Sequence, residues 1–118
     1  MKTEIAVKWI QALESGDYPQ GKGKLRAAEG FCCLGVLCDL FKKETGKGKW
    51  ERTRYKHKMF SVDGHRSAVV LPLDVMYWAG LLTIEGELTN KGSLVGMNDR
   101  GKTFQEIAKV ISENVAEL

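Results

Sequence analysis

No hydrophobic run in these 118 residues approaches the roughly 18 to 20 that a membrane-spanning helix needs. The most apolar stretch, GFCCLGVLCDLFKK, is interrupted by Asp39 and ends in Lys42-Lys43. No export signal is expected either, because Glu4 and Lys8 break any apolar region near the start. The reading is therefore a cytoplasmic protein with no membrane partner. Cysteine is scarce, with three residues at 32, 33 and 38. They cannot all pair, adjacent Cys32 and Cys33 would form a strained ring, and without export the thiols are expected to stay reduced. Histidine is scarcer still, at His57 and His65. Three cysteines on one segment and two distant histidines do not make the roughly four-ligand set of a structural metal. Gly21-Lys22-Gly23-Lys24 lacks the Walker spacing of a phosphate loop, so no cofactor is expected. The chain has no internal repeat and no low-complexity tract, and its length suits one domain over 1–118.

What is present begins with an amphipathic helix over 3–15, where Ile5, Trp9, Ile10 and Leu13 share a stripe that Ser15-Gly16 closes. YPQGKGKLRAAEG (18–30) is a glycine-punctuated loop with a short extended piece at Lys24 to Ala27. A second helix runs from about Cys32 to Thr45-Gly46. Leu34, Leu37, Cys38 and Phe41 form its stripe, and the neighbouring face is apolar as well, which marks a helix buried most of the way round. Gly35 costs about 1 kcal/mol against alanine there, so another element is expected to pack close to it. From Trp50 to Val70 the period falls to 2, and Asp63-Gly64 is a hairpin dipeptide. LPLDVMYWAG starts a short helix at Pro72 and ends it at Gly80. A small hairpin is expected around Glu85-Gly86. NDRG (98–101) reads as a turn before a capping box, Thr103 to Glu106, and a final helix. The fold class is α+β, about four helices packed on a small antiparallel sheet.

Two groups of residues carry chemistry. Lys47 to Lys58 holds Lys47, Lys49, Arg52, Arg54, Lys56 and Lys58 against Glu51 alone, more positive charge than the whole-chain net of +3. On a strand, Arg52, Arg54, Lys56 and Lys58 project from one face. Lys22, Lys24 and Arg26 repeat the pattern, and Trp50 and Tyr55 add stacking surfaces. Such a face suits phosphates; the competing reading is an edge strand guarded by charge against aggregation. Asn98 and Asp99 are either turn formers or further ligand contacts. The second group is the thiols. Cys32 or Cys33 at a helix N-terminus, with His57 or His65 as base, is a nucleophile layout. Alternatively all three cysteines serve as small hydrophobes in a close-packed helix.

WIQALESGDYPQGKGKLR, GFCCLGVLCDL, LPLDVMYWAGL and MNDRGKTFQEIAKVI resemble, in order, a family of small proteins common in bacteriophage and prophage genomes. The resemblance implies a small α+β domain encoded among accessory phage genes, where host-takeover and counter-defence proteins are found. Neither histidine lies in those segments. The expectation is an accessory protein that binds a phosphate-bearing ligand, such as a nucleotide signal, or an acidic host partner, without catalysis. Its rivals are a nucleic-acid-binding module and a Cys-dependent hydrolase or transferase. The oligomeric state is open, a homo-oligomer included.

Overall fold

A computed structural model describes all residues, Met1–Leu118. Helix α1 (Thr3–Glu14) buries Ile5, Ala6, Trp9 and Leu13 at helical spacing, and the Trp9 indole N–H donates to the Cys33 carbonyl at 2.9 Å. Helix α2 (Cys33–Thr45) buries Cys33 to Cys38 and Phe41, which is why its sequence is apolar through most of its circumference. Cys32 caps it, with Sγ accepting from the Gly35 N–H at 3.4 Å, and Gly46 ends it in a left-handed conformation at φ 73°. The close approach expected at Gly35 is real. The extended segment around Leu25 crosses there, joined by a bond from the Cys32 N–H to the Leu25 carbonyl at 3.1 Å.

Strands β1 (Lys49–Arg52), β2 (Lys58–Val62) and β3 (His65–Ser67) form an antiparallel sheet in that order. The hairpin between β2 and β3 turns at Asp63-Gly64, both left-handed at φ 49° and 84°, as a two-residue primed turn requires. The long basic strand is not there. Pairing stops at Arg52 and resumes at Lys58, and residues 53–57 turn the chain. The Thr53 hydroxyl holds this turn, donating to the His57 carbonyl at 2.8 Å and accepting from the Tyr55 N–H at 3.0 Å. A strand needs a face to bury. Trp50 and Phe60, paired across β1 and β2, supply one, whereas the alternation of cations with polar residues beyond Arg52 supplies none. The third strand likewise ends at Ser67 instead of continuing to Leu71.

Helix α3 (Leu73–Ala79) follows Pro72, which occupies the N-cap, and ends at left-handed Gly80. The second small hairpin pairs β4 (Glu87–Leu88) with β5 (Gly92–Ser93) around Asn90, φ 60°, and not around Glu85-Gly86. A fifth helix, α4 (Leu94–Asp99), takes up Asn98 and Asp99, which sequence alone assigned to a turn; the Ser93 hydroxyl caps it, accepting from the Gly96 N–H at 3.1 Å. Helix α5 (Phe104–Glu113) opens with the Thr103–Glu106 capping box and lays Phe104, Ile107, Ala108 and Ile111 into the core, where it packs on α1. The fold is α+β: five helices around a three-stranded and a two-stranded antiparallel sheet.

Candidate anion site

The site begins with strand register. Arg52 of β1 lies directly opposite Lys58 of β2. On the other side of Lys58 the chain passes again, as an isolated bridge to Arg26, with the Lys58 N–H donating to the Arg26 carbonyl at 2.9 Å. Residues directly opposite share a face. Arg26, Lys58 and Arg52 therefore form a row of three cations carried on neighbouring backbones, and paired strands of this kind run about 4.7 to 4.9 Å apart. No carboxylate lies within 4 Å of any of them: the ion pairs of the chain are Lys8–Glu44, Lys43–Asp39, Lys49–Glu51, His65–Asp74 and Arg66–Glu51. Like charges opposite one another destabilise a sheet.

The turn after Arg52 extends the row. Arg52, Tyr55, Lys56, His57 and Lys58 line a concavity of about 230 Å³ whose charged side chains are all cationic. The Tyr55 and His57 rings stack at 5.9 Å and 9°, and Tyr55 is 70% exposed. Arg54 is exposed on the same turn but does not line the concavity, and neither does half-buried Lys24.

Trp50 is not the open stacking surface expected of it. It is half-buried, packed edge-on against Phe31 at 5.7 Å and Phe60 at 4.9 Å. Its work is structural. The Arg26 guanidinium lies 4.7 Å from the Phe31 ring and 5.5 Å from the Trp50 ring, so the aromatics carry one end of the row. The Trp50 indole N–H in turn donates to Asp39 Oδ1 at 3.1 Å, and the Tyr18 hydroxyl donates to Asp39 Oδ2 at 2.5 Å. Lys43 completes the cluster, 2.9 Å from the Tyr18 oxygen and 3.3 Å from Asp39. Burial pushes the Asp39 carboxyl up, but the bonds from Tyr18 and Trp50 and the Lys43 charge outweigh it and hold the group below its ordinary value. Burial raises Tyr18, with Asp39 adding to the shift. Sequence reasoning missed Asp39 as a support, although its signal was visible: it is the acid that interrupts the apolar run of α2.

Over residues 1–115 the chain matches the family described as Domain of unknown function (DUF8296). The chain belongs to the DUF8296 family. No curated protein and no solved structure matches it.

The remaining candidates of this DUF8296 chain sit elsewhere. Asn98 is fully buried and its side chain is spent inside the fold: Oδ1 accepts from the Cys33 N–H at 3.2 Å and from Gln20 at 2.9 Å, and the amide donates to the Gly21 carbonyl at 2.9 Å. Asp99 Oδ1 accepts from the Gly23 N–H at 2.9 Å. Together they staple the 20–23 loop to the start of α2, and neither bonds to the cationic row.

The thiols are buried, all three at 1% exposure or less. Desolvation pushes Cys32 up to about 11, despite its place at a helix N-terminus, and pushes Cys33 and Cys38 well above the ordinary thiol value. Cys33 Sγ donates to the Leu94 carbonyl at 3.5 Å. His57 stacks on Tyr55 and His65 faces Asp74 at 3.3 Å, so neither histidine serves a thiol. No helix is long and apolar enough to cross a membrane.

Proposed function

We propose that the protein binds a phosphate-bearing ligand at the Arg26–Lys58–Arg52 row, without catalysing a reaction on it. The observation that carries this reading is the row itself: three cations in register, none paired with a carboxylate. Guanidinium forks match phosphate oxygens in pairs, and lysine adds a point charge. Lys56 widens the cationic surface, and exposed Tyr55 offers a ring on which a base can stack. A nucleotide signal fits this chemistry. In the phage setting that the resemblance implies, sequestering such a signal is a counter-defence function, and an acidic host surface would use the same cations. The buried, protonated thiols support the absence of covalent chemistry.

The test is a titration with a fluorescently labelled dinucleotide, with inorganic phosphate and longer oligonucleotides as comparisons, across a salt series. The dinucleotide is expected to bind, more weakly as salt rises, and Arg52→Ala/Lys58→Ala is expected to weaken it at least about tenfold, the loss of one to two charge-assisted contacts. Binding that ignores both salt and the double substitution would overturn the reading. Affinity that keeps climbing with oligonucleotide length would mark a nucleic-acid-binding module instead.

A further inference from the structure

At the end of the sheet opposite the basic turn lies a second, chemically contrasting depression. It has a volume of about 380 Å³ and sits between the end of α2, the Asp63-Gly64 turn and α3. Phe41, Val62, Tyr77 and Trp78 wall it, with Phe41 and Trp78 perpendicular at 5.4 Å, and Asp63 and Asp74 stand at its edge. Asp63 has no cation within 4 Å, and Asp74 gives only Oδ1 to His65. Lys47 also lines the groove, and its single positive charge leaves the two carboxylates in excess. Tyr77 is 68% exposed, and Leu73, one helical turn before it, is 53% exposed. The chain thus carries an aromatic, acidic groove that nothing in the fold covers.

We infer that this groove receives the basic turn of a second copy, so that molecules join head to tail. The two halves of the contact are chemically matched. The turn presents Tyr55 between Arg54 and Lys56, an aromatic ring flanked by cations; the groove presents aromatic rings flanked by carboxylates. Topology rules out closure within one molecule. The basic turn precedes β2 and the Asp63-Gly64 turn follows it, so five extended residues, about 16 Å, hold them apart at opposite ends of one strand. A contact between unlike surfaces is heterologous and propagates into a ring or an open chain. The inference shares the basic turn with the anion reading, so an anion on the turn competes with assembly; the groove belongs to assembly alone.

Sedimentation velocity tests it, with protein from about 10 µM to about 1 mM in about 20 mM and about 500 mM salt, where screening differs most. The expected result is mass that rises with concentration past a dimer at low salt and falls back to a monomer at high salt. Asp63→Asn/Asp74→Asn spoils the groove without straining the turn, since asparagine tolerates the left-handed conformation of position 63. Arg54→Ala/Tyr55→Ala/Lys56→Ala spoils only exposed side chains of the turn. Each variant alone is expected to be monomeric. Mixed in equal amounts they are expected to give a dimer and nothing larger, because one intact turn meets one intact groove. The groove variant keeps its dinucleotide affinity, which separates failure of this inference from failure of the anion reading. A wild-type monomer at every concentration, a mixture that stays monomeric, or a dimer that survives high salt in both variants through its exposed α3 face would each overturn it.

Discussion

A methyl group has no room at Gly35: an added Cβ would lie 1.8 Å from the Leu25 carbonyl oxygen, which belongs to backbone and cannot swing away. Gly35→Ala is therefore expected to cost more than about 3 kcal/mol, far beyond a typical single substitution, and to read as a large drop in the urea midpoint. Near wild-type stability would show that the crossing segment is free to move. The cysteines yield a second expectation at this scale. Their thiols are protonated when folded and ionise near 9 when unfolded, so the unfolded chain releases protons first as the solution turns alkaline. Stability is full below that value and falls as pH rises above about 9, by up to about 1.4 kcal/mol per pH unit for each thiol. Iodoacetamide at neutral pH should label none of them in the native state. Rapid native labelling would restore the thiol-enzyme alternative.

Among elements, the join between α2 and the sheet depends on Asp39, which holds Trp50, Tyr18 and Lys43 at once. Its carboxyl sits below the unfolded value of 3.8, so its stabilisation is present above that pH and is lost as pH falls through the folded value. Asp39→Asn keeps the shape and removes the charge. It is expected to cost about 1 to 2 kcal/mol at pH 7, the worth of hydrogen bonds to a charged group, and progressively less as pH falls below 3.8 toward 2. Urea midpoints of both proteins at the two pH values check this; a constant gap between them would mean that the charge contributes nothing. Because Trp50 and Phe31 carry Arg26, the same substitution should also weaken dinucleotide binding without touching the ligand.

For the whole molecule, the proposed function implies that the row trades stability for binding. Three unneutralised cations side by side repel, so Arg52→Gln should stabilise the free protein by about 0.2 to 1 kcal/mol while lowering its affinity for the dinucleotide. Saturating dinucleotide should raise the melting temperature of the wild type more than that of the variant. Thermal melts with and without ligand measure both. An Arg52→Gln protein that is less stable and binds unchanged would make the row an ordinary charged surface.

Helices α1, α2 and α5 and the Asp63-Gly64 hairpin were legible in the chain because their causes are local. Apolar spacing, the Thr103 capping box, Gly46 and Gly80 as stops, and a dipeptide suited to left-handed conformations all act within a few residues of one another. The identities of the cations were legible on the same terms. Their arrangement was not. Alternating charge reads alike in a strand and in a turn, and only the burial of Trp50 against Phe60 decides where β1 ends. Arg26 reaches Lys58 because the Leu25 segment crosses α2 at Gly35, and Asn98 turns inward because the 20–23 loop and α2 converge on it. Cys32 shows the contrast on a single side chain. Its position at a helix start favours the thiolate, yet packing from distant segments excludes the water that a thiolate needs. Local chemistry sets what each segment can form; which segments meet, and so which groups lose solvent, is settled by the packing of the entire chain.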